Sequence, residues 1–501
     1  MSPSQVFSHL FFAGVLCACG VLGAQTPSPV NVTVDSSQRF QTIVGFGTCL
    51  SDGSPVFSPS FRQLYTQDLG ASLLREILTP VVVPNQVTFG TDLQTNIGML
   101  SFNGVTSQNN WGQFAQYAST HAVDQFKVIG SIFTPPAWMK TTDSQNGGSL
   151  IQTTDNLQQF ARYVAAYAVG FQQAYGVPLY AISLQNELRF SEPYPSCSYT
   201  PAQYVAAVNA VGAEFAKDGI KTLIMGPEDV GVDGGWITSQ QMSFINAVNA
   251  DPTAKNYLGF YAIHGYWGYY TETGTAPANW ADYANQLKAI GDGKQSWMTE
   301  ESNENPAWVH FDSNGNLDGG LSVALNIHNA LTYGNFNAWL NWQMDDGNGS
   351  VSNQTFETNS NPASLKYDAA KHYYKFIRPG SVRIAASPDN LTGINVDAYV
   401  NDANHTMTIE LINASATATQ TSVSIPLTDY TSFAEYLTDA TQPWAVLPDV
   451  TVSNGMVSLM MPAYSVVTLE SDGIAESLPE PGVGLVVLGV LLAGVRRRST
   501  E

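Results

Sequence analysis

Between about residues 40 and 380 the chain alternates short apolar runs with longer amphipathic stretches. The runs are "IVGFG" (43–47), "ASLLREI" (71–77), "FKVIGSIF" (126–133), "LYAISLQ" (179–185), "TLIMGP" (222–227), "LGFYAIH" (258–264), "QSWMTE" (295–300) and "FNAWLNWQ" (336–343). Stretches of helical period, such as "NLQQFARYVAAYAVGFQQAYG" (156–176) and "PAQYVAAVNAVGAEFAKDG" (201–219), stand between them. Eight β-rich runs separated by helices predict an α/β chain folded as a (β/α)8 TIM barrel over residues 45–378. After Pro379 the period drops to two: "TMTIELINAS", "TSVSIPL", "MVSLMM" and "YSVVTLES" alternate apolar with polar positions and are separated by turn residues. They predict an appended β-sandwich side domain over residues 379–472. The early run "VNVTVD" (30–35), within residues 25–44, is expected to add a strand to that sandwich.

The two ends break this rhythm. Residues 10–24, "LFFAGVLCACGVLGA", are apolar and close on small residues, so residues 1–24 read as a secretory signal cut near Ala24. A lipoprotein signal using Cys19 is the other reading. At the far end Pro479-Glu480-Pro481 precede an apolar run from Gly482 to Val495 and then Arg496-Arg497-Arg498. A helix over that run would span ~21 Å, short of the ~30 Å hydrocarbon core. The pattern over residues 473–501 resembles the PEP-CTERM sorting signal of Gram-negative bacteria, with a poor transmembrane tail as the plainer reading. Both ends imply an exported protein, extracellular or on the cell surface or outer envelope, whose tail engages export and sorting machinery. An exported chain also allows Cys49 and Cys197 to pair, a question the sequence leaves open.

Composition narrows the partners. Charged residues are only 12% of the chain, yet 41 acids outnumber 20 bases, for a net charge of −21. That surface repels phosphate backbones and argues against nucleic acid and anionic membranes. Neutral ligands such as sugars fit it.

In a barrel of this kind the C-terminal strand ends carry the chemistry. Glu187 follows the fourth run and Glu300 ends the seventh. Carboxyls from facing strands can approach to ~5 Å, the separation of a retaining glycosidase, in which one attacks the anomeric carbon and the other protonates the leaving oxygen. A lone strand-end carboxylate is more commonly a salt-bridge partner, so the neighbours matter. Asn186 could hydrogen-bond a sugar 2-hydroxyl. Arg75, ending the second run, could hold the nucleophile ionised, or simply form a structural ion pair with Glu76 or another acid.

These residues fall in motifs. "QTIVGFG" (41–47), "FTPPAWMK" (133–140), "SLQNE" (183–187), "WMTE" (297–300), "NIHNALTYGNFNAWLNW" (326–342) and "FIRPGSVRI" (376–384) resemble the signatures of glycoside hydrolase family 30, over about residues 30–471. The resemblance implies a retaining β-glycanase acting on a polysaccharide, with Glu187 as acid/base and Glu300 as nucleophile. It implies sugar contacts for Trp138, His264, Tyr266 and Trp342, and it requires neither cofactor nor metal. The chain's seven His are scattered without ligand spacing. Glu301 and Glu304 should lie off the site, since a neighbour on a strand points to the other face, and Glu228 reads as a support. The glucuronoxylan-specific members look nearest, and they grip the glucuronate branch with an Arg after strand eight. Here that loop reads Gln343-Met344-Asp345-Asp346-Gly347. The expectation is an endo-β-1,4-xylanase without dependence on that branch. A β-1,6-glucanase, β-1,6-galactanase or glucosylceramidase-like exo-enzyme is the alternative, and a non-catalytic glycan-binding surface protein the alternative of another class.

Overall fold

The chain enters on β1 (Val30–Thr42) and then runs through eight parallel strands that close on themselves in sequence order. They are β2 (Gly45–Cys49), β3 (Leu73–Leu78), β4 (Lys127–Ile132), β5 (Leu179–Ser183), β6 (Leu223–Pro227), β7 (Leu258–His264), β8 (Ser296–Glu300) and β9 (Ala338–Asn341). This computed structural model describes residues 29–104, 107–231, 241–266, 277–357, 364–390, 393–425 and 430–471. The signal-like stretch 1–24 and the tail 473–501 lie outside the described residues. Among the described residues, no helix is long and apolar enough to cross a membrane.

The helices between strands follow local chemistry. Thr153 caps Thr154–Tyr175 by accepting from Asn156 N, and Gly176 ends the helix at φ 73°, a backbone state that favours glycine. Thr200 and Gln203 form a reciprocal capping box at the start of Pro201–Asp218. The apolar faces of these helices pack on the outside of the barrel in one large core. A separate cluster, including Leu73, Ile129, Met225, Phe260, Trp297 and Leu340, fills the barrel interior. Phe260 and Trp297 lie 4.4 Å apart there, and Tyr180 stacks on Trp297. Above this plug the inward positions turn polar: Arg75, Ser131, Ser183 and His264 are all fully buried.

The β-rich domain contains β10 (Val382–Ser387), β11 (Ile394–Asn401), β12 (Thr406–Asn413), β13 (Thr419–Ser424), β14 (Ser432–Thr438), β15 (Ala445–Thr451), β16 (Met456–Met461) and β17 (Ser465–Ser471). With β1 they make one continuous nine-stranded sheet in the order β15-β14-β17-β12-β11-β10-β1-β13-β16. The sheet folds over so that its end strands β15 and β16 meet, and Val34, Ile384, Val396, Ile409 and Val467 are among the core residues it encloses. The two faces of the sandwich therefore belong to a single hydrogen-bonded sheet. β1 runs antiparallel to β10 and parallel to β13. Trp308, in the loop after β8, donates from its indole to Tyr464 O at 2.7 Å and ties that loop to this domain.

Candidate active site

Two local departures from ideal strand geometry aim the carboxylates. Between β7 and β8 the pairing steps from Ile263↔Met298 to His264↔Glu300, so Thr299 is an extra residue, a β-bulge. Met298 packs outward in the large core, and simple alternation would send Glu300 the same way. The bulge turns Glu300 inward beside His264. At the end of β5 the chain leaves the strand at Ser183, and Glu187 sits at φ 45°, a left-handed state uncommon for a side-chain-bearing residue. Glu228 shares that state at φ 56°. Glu187 N donates to Glu228 O at 2.9 Å, and Glu228 N to Ala262 O at 2.8 Å, so the strained rim is stitched across three strands.

Arg75 organises the floor. Its guanidinium is fully buried and donates from Nη1 to Glu300 Oε2 at 2.6 Å, from Nη2 to Asn186 Oδ1 at 2.6 Å, and from Nε to Glu228 Oε1 and Ser131 Oγ, both at 2.9 Å. Tyr266 donates its hydroxyl to the other Glu300 oxygen at 3.1 Å. His264 Nδ1 stands 3.1 Å from Glu187 Oε1. One oxygen each from Glu187 and Glu300 and one nitrogen of His264 lie within 4.8 Å of one another. Three such atoms could also surround a cation, but Arg75 already supplies the positive charge there. Both carboxylates open onto a cavity of about 810 Å³, lined also by Trp111, Phe133, Tyr194, Tyr266 and Trp342.

No family model matches the chain. The glucuronoxylanase XynC of Bacillus subtilis (strain 168) is 25% identical over 387 residues, covering 75% of this chain and 81% of that protein. The endo-1,6-β-D-glucanase neg1 of Aspergillus fumigatus is 29% identical over 249 residues, 41% of this chain and 49% of that protein. Among solved structures, the glycoside hydrolase family 30 subfamily 8 xylanase Xyn30A of Clostridium acetobutylicum superposes with a TM-score of 0.69 at 22% identity, covering 88% of this chain and 99% of its own. The chain is a glycoside hydrolase with the family 30 fold.

In this hydrolase Glu187, Glu300, Asn186, Arg75, His264, Tyr266 and Trp342 converge at one barrel mouth. Trp138 does not join them: it is half-buried against the outer core and is not among the residues lining the cavity. His264 is fully buried, so its ring supports Glu187 and offers no face to a sugar. Arg75 does not pair with Glu76, which is buried on the other face of β3 with neither oxygen hydrogen-bonded among the described residues. Burial raises the Glu76 pKa well above its ordinary value, which favours the uncharged form. Glu301 and Glu304 face away too, sharing Asn326 Nδ2 at 3.1 and 3.0 Å. Cys49 and Cys197 are both free and buried. Cys49 lies under Arg75, 3.3 Å from Nη1, with burial pushing its thiol up to about 12.

The sequence suggests Glu228 as a support and gives no role to Tyr194. Glu228 is the second counter-charge of Arg75. Burial would raise its pKa, but Arg75 and His264 outweigh that and hold it well below the usual carboxylate range. For Tyr194 a signal existed in "SEPYPSC": an aromatic between two prolines, just past the end of the fourth run.

The protons follow from these contacts. Burial raises the Glu300 pKa, and Glu187 and Glu228 add to this while His264 and Arg75 oppose it. Donors stand on both Glu300 oxygens, from Arg75 and Tyr266, which favours leaving that group ionised. Burial works against a charge on His264, but Glu300, Glu187 and Glu228 prevail and raise its pKa to about 10. His264 is thus an imidazolium at neutral pH. Its folded pKa lies above the unfolded value of ~6.5, so its stabilisation is complete below ~6.5 and lost as pH rises through the folded value. Urea midpoints should fall as pH rises from ~6.5 to about 10, and fall less in His264→Gln. Equal falls in both proteins would remove His264 from that role.

Proposed function

We propose that the protein is a retaining endo-β-1,4-xylanase acting by double displacement on xylan, without need of a glucuronate branch. The observation that carries the reading is the approach of Glu187 and Glu300 within 4.8 Å, the retaining spacing and too close for an interposed water as in an inverting enzyme. Glu300 attacks the anomeric carbon as the glycosidic C–O bond breaks, and Glu187 delivers its proton to the departing oxygen. Glu187, now ionised, takes a proton from water, whose oxygen displaces Glu300 and restores both groups. With its Oδ1 held by Arg75, Asn186 keeps its amide N–H groups to donate to the sugar 2-hydroxyl.

The substrate reading rests on charge. Among the described residues the cavity lining carries Asp52, Asp346, Glu187 and Glu300 and no Lys or Arg. Residues 232–240, 267–276 and 358–363, which lie outside the described residues, contain no Lys or Arg either. Among the described lining residues, the charged groups a uronate meets are all carboxylates. The wild type should therefore act on glucuronoxylan and on arabinoxylan at rates within roughly a factor of ten, since an exposed charge contact is an effect of about 1 kcal/mol or less. Strict dependence on glucuronoxylan would overturn this reading. Preference for β-1,6-glucan would favour the second one, which the 29% identity to a β-1,6-glucanase supports. The apolar run ending at Ala24 and the Pro-Glu-Pro tail support export from a Gram-negative cell with sorting at the envelope.

A further inference from the structure

The excursion between β5 and the helix Pro201–Asp218 carries an aromatic ring that the reaction chemistry does not use. Tyr194 is 44% exposed, yet it lines the same cavity as Glu187 and Glu300, together with Gln145 and Pro195. It stands between Pro193 and Pro195, whose rings fix the local backbone. The loop is further held from below. Lys140, almost completely buried, donates to Ser196 O at 2.6 Å, Gln145 O at 2.8 Å and Thr134 Oγ1 at 2.8 Å. Asn146 Nδ2 donates to Pro193 O at 2.6 Å. The Ser196 hydroxyl accepts from Gly147 N at 3.1 Å and Glu192 N at 3.0 Å. The Tyr194 side chain is itself hydrogen-bonded to Glu192. A large, partly exposed ring held this rigidly costs little entropy to use as a binding surface.

Its place in the chain says which sugar it meets. The same excursion begins with Glu187, and Glu187 gives its proton to the oxygen that leaves. The sugar beyond that oxygen lies on the wall Glu187 belongs to, and that wall continues into Tyr194. We propose that Tyr194 is the stacking platform for the first sugar on the leaving-group side, and so a specificity-determining residue that favours cleavage within a chain. This rests on the retaining-glycanase reading above.

The test compares two substrates. β-Xylobiosyl fluoride reacts at Glu300 with departure of fluoride and puts no sugar beyond the scissile bond, whereas xylan does. Where the wild type prefers β-1,6-glucan, that polymer and β-gentiobiosyl fluoride replace the pair. In Tyr194→Ala the ratio of kcat/KM on polymer to kcat/KM on fluoride should fall about tenfold, the cost of losing one well-placed aromatic contact. Tyr194→Phe, which keeps the ring, should restore the ratio. An unchanged ratio in Tyr194→Ala overturns the proposal, including the case in which both substrates suffer equally because the pocket has been disturbed. A Phe variant as impaired as the Ala variant also overturns it, since the hydroxyl would then be what matters. Failure of the underlying reading shows differently: the wild type would hydrolyse neither glycosyl fluoride.

Discussion

Glu300→Gln is expected to lower reducing-sugar release from the preferred polymer by about 100,000-fold, the scale at which removal of a nucleophile leaves only binding and electrostatic assistance. The substitution keeps the size of the side chain and one oxygen able to accept from Arg75, so the fold should be retained. What it removes is the negative charge that forms the glycosyl ester, and the acceptor that Tyr266 now faces at 3.1 Å. Circular dichroism and a melting curve close to wild type would accompany the loss. A variant retaining more than about one per cent of wild-type release, a deficit of under ~3 kcal/mol, would remove Glu300 from the bond-forming step.

Arg75→Met is expected to have the largest effect on stability. A methionine occupies much of the volume but leaves Glu228 and Glu300 buried beside each other without their shared counter-charge, a situation that costs about 3–5 kcal/mol. Asn186 and Ser131 lose their partner at the same time. Urea denaturation at pH 7 measures the cost. The sign of its pH dependence follows from Glu228, whose folded pKa is depressed. The stabilisation it draws from Arg75 is complete above its unfolded pKa of ~4.3 and fades as pH falls toward the folded value. The gap between wild type and Arg75→Met should therefore be wider at pH 7 than at pH 4. A gap that is small at pH 7, or constant with pH, would show that the carboxylates do not depend on this guanidinium.

The barrel was legible because its alternation of β-rich and helical runs is a local property of the chain, and each of the eight runs overlaps a strand of the closed sheet. Glu187 and Glu300 were legible because strand ends point at the mouth. Other features needed the third dimension. Arg75 and Glu300 meet across 225 residues, so choosing Glu300 and Glu228 over Glu76 as partners of Arg75 was beyond any local pattern. The bulge at Thr299 is a mismatch between two strands and exists only when both are present. Without it, alternation from the inward Trp297 would have turned Glu300 toward the helices. The single continuous sheet of the second domain likewise depends on pairings between β1 and strands at the opposite end of the chain, whereas the alternating pattern of each strand reports only that it has one buried face.

The position of β1 has a consequence for how the molecule is made. Synthesis delivers this strand first, and both of its neighbours, β10 and β13, only after the entire catalytic unit has been produced. The smaller domain thus works as a clasp joining a strand that precedes the barrel to strands that follow it. A fragment stopping at residue 378 would leave both edges of β1 unmatched, inviting association with other chains.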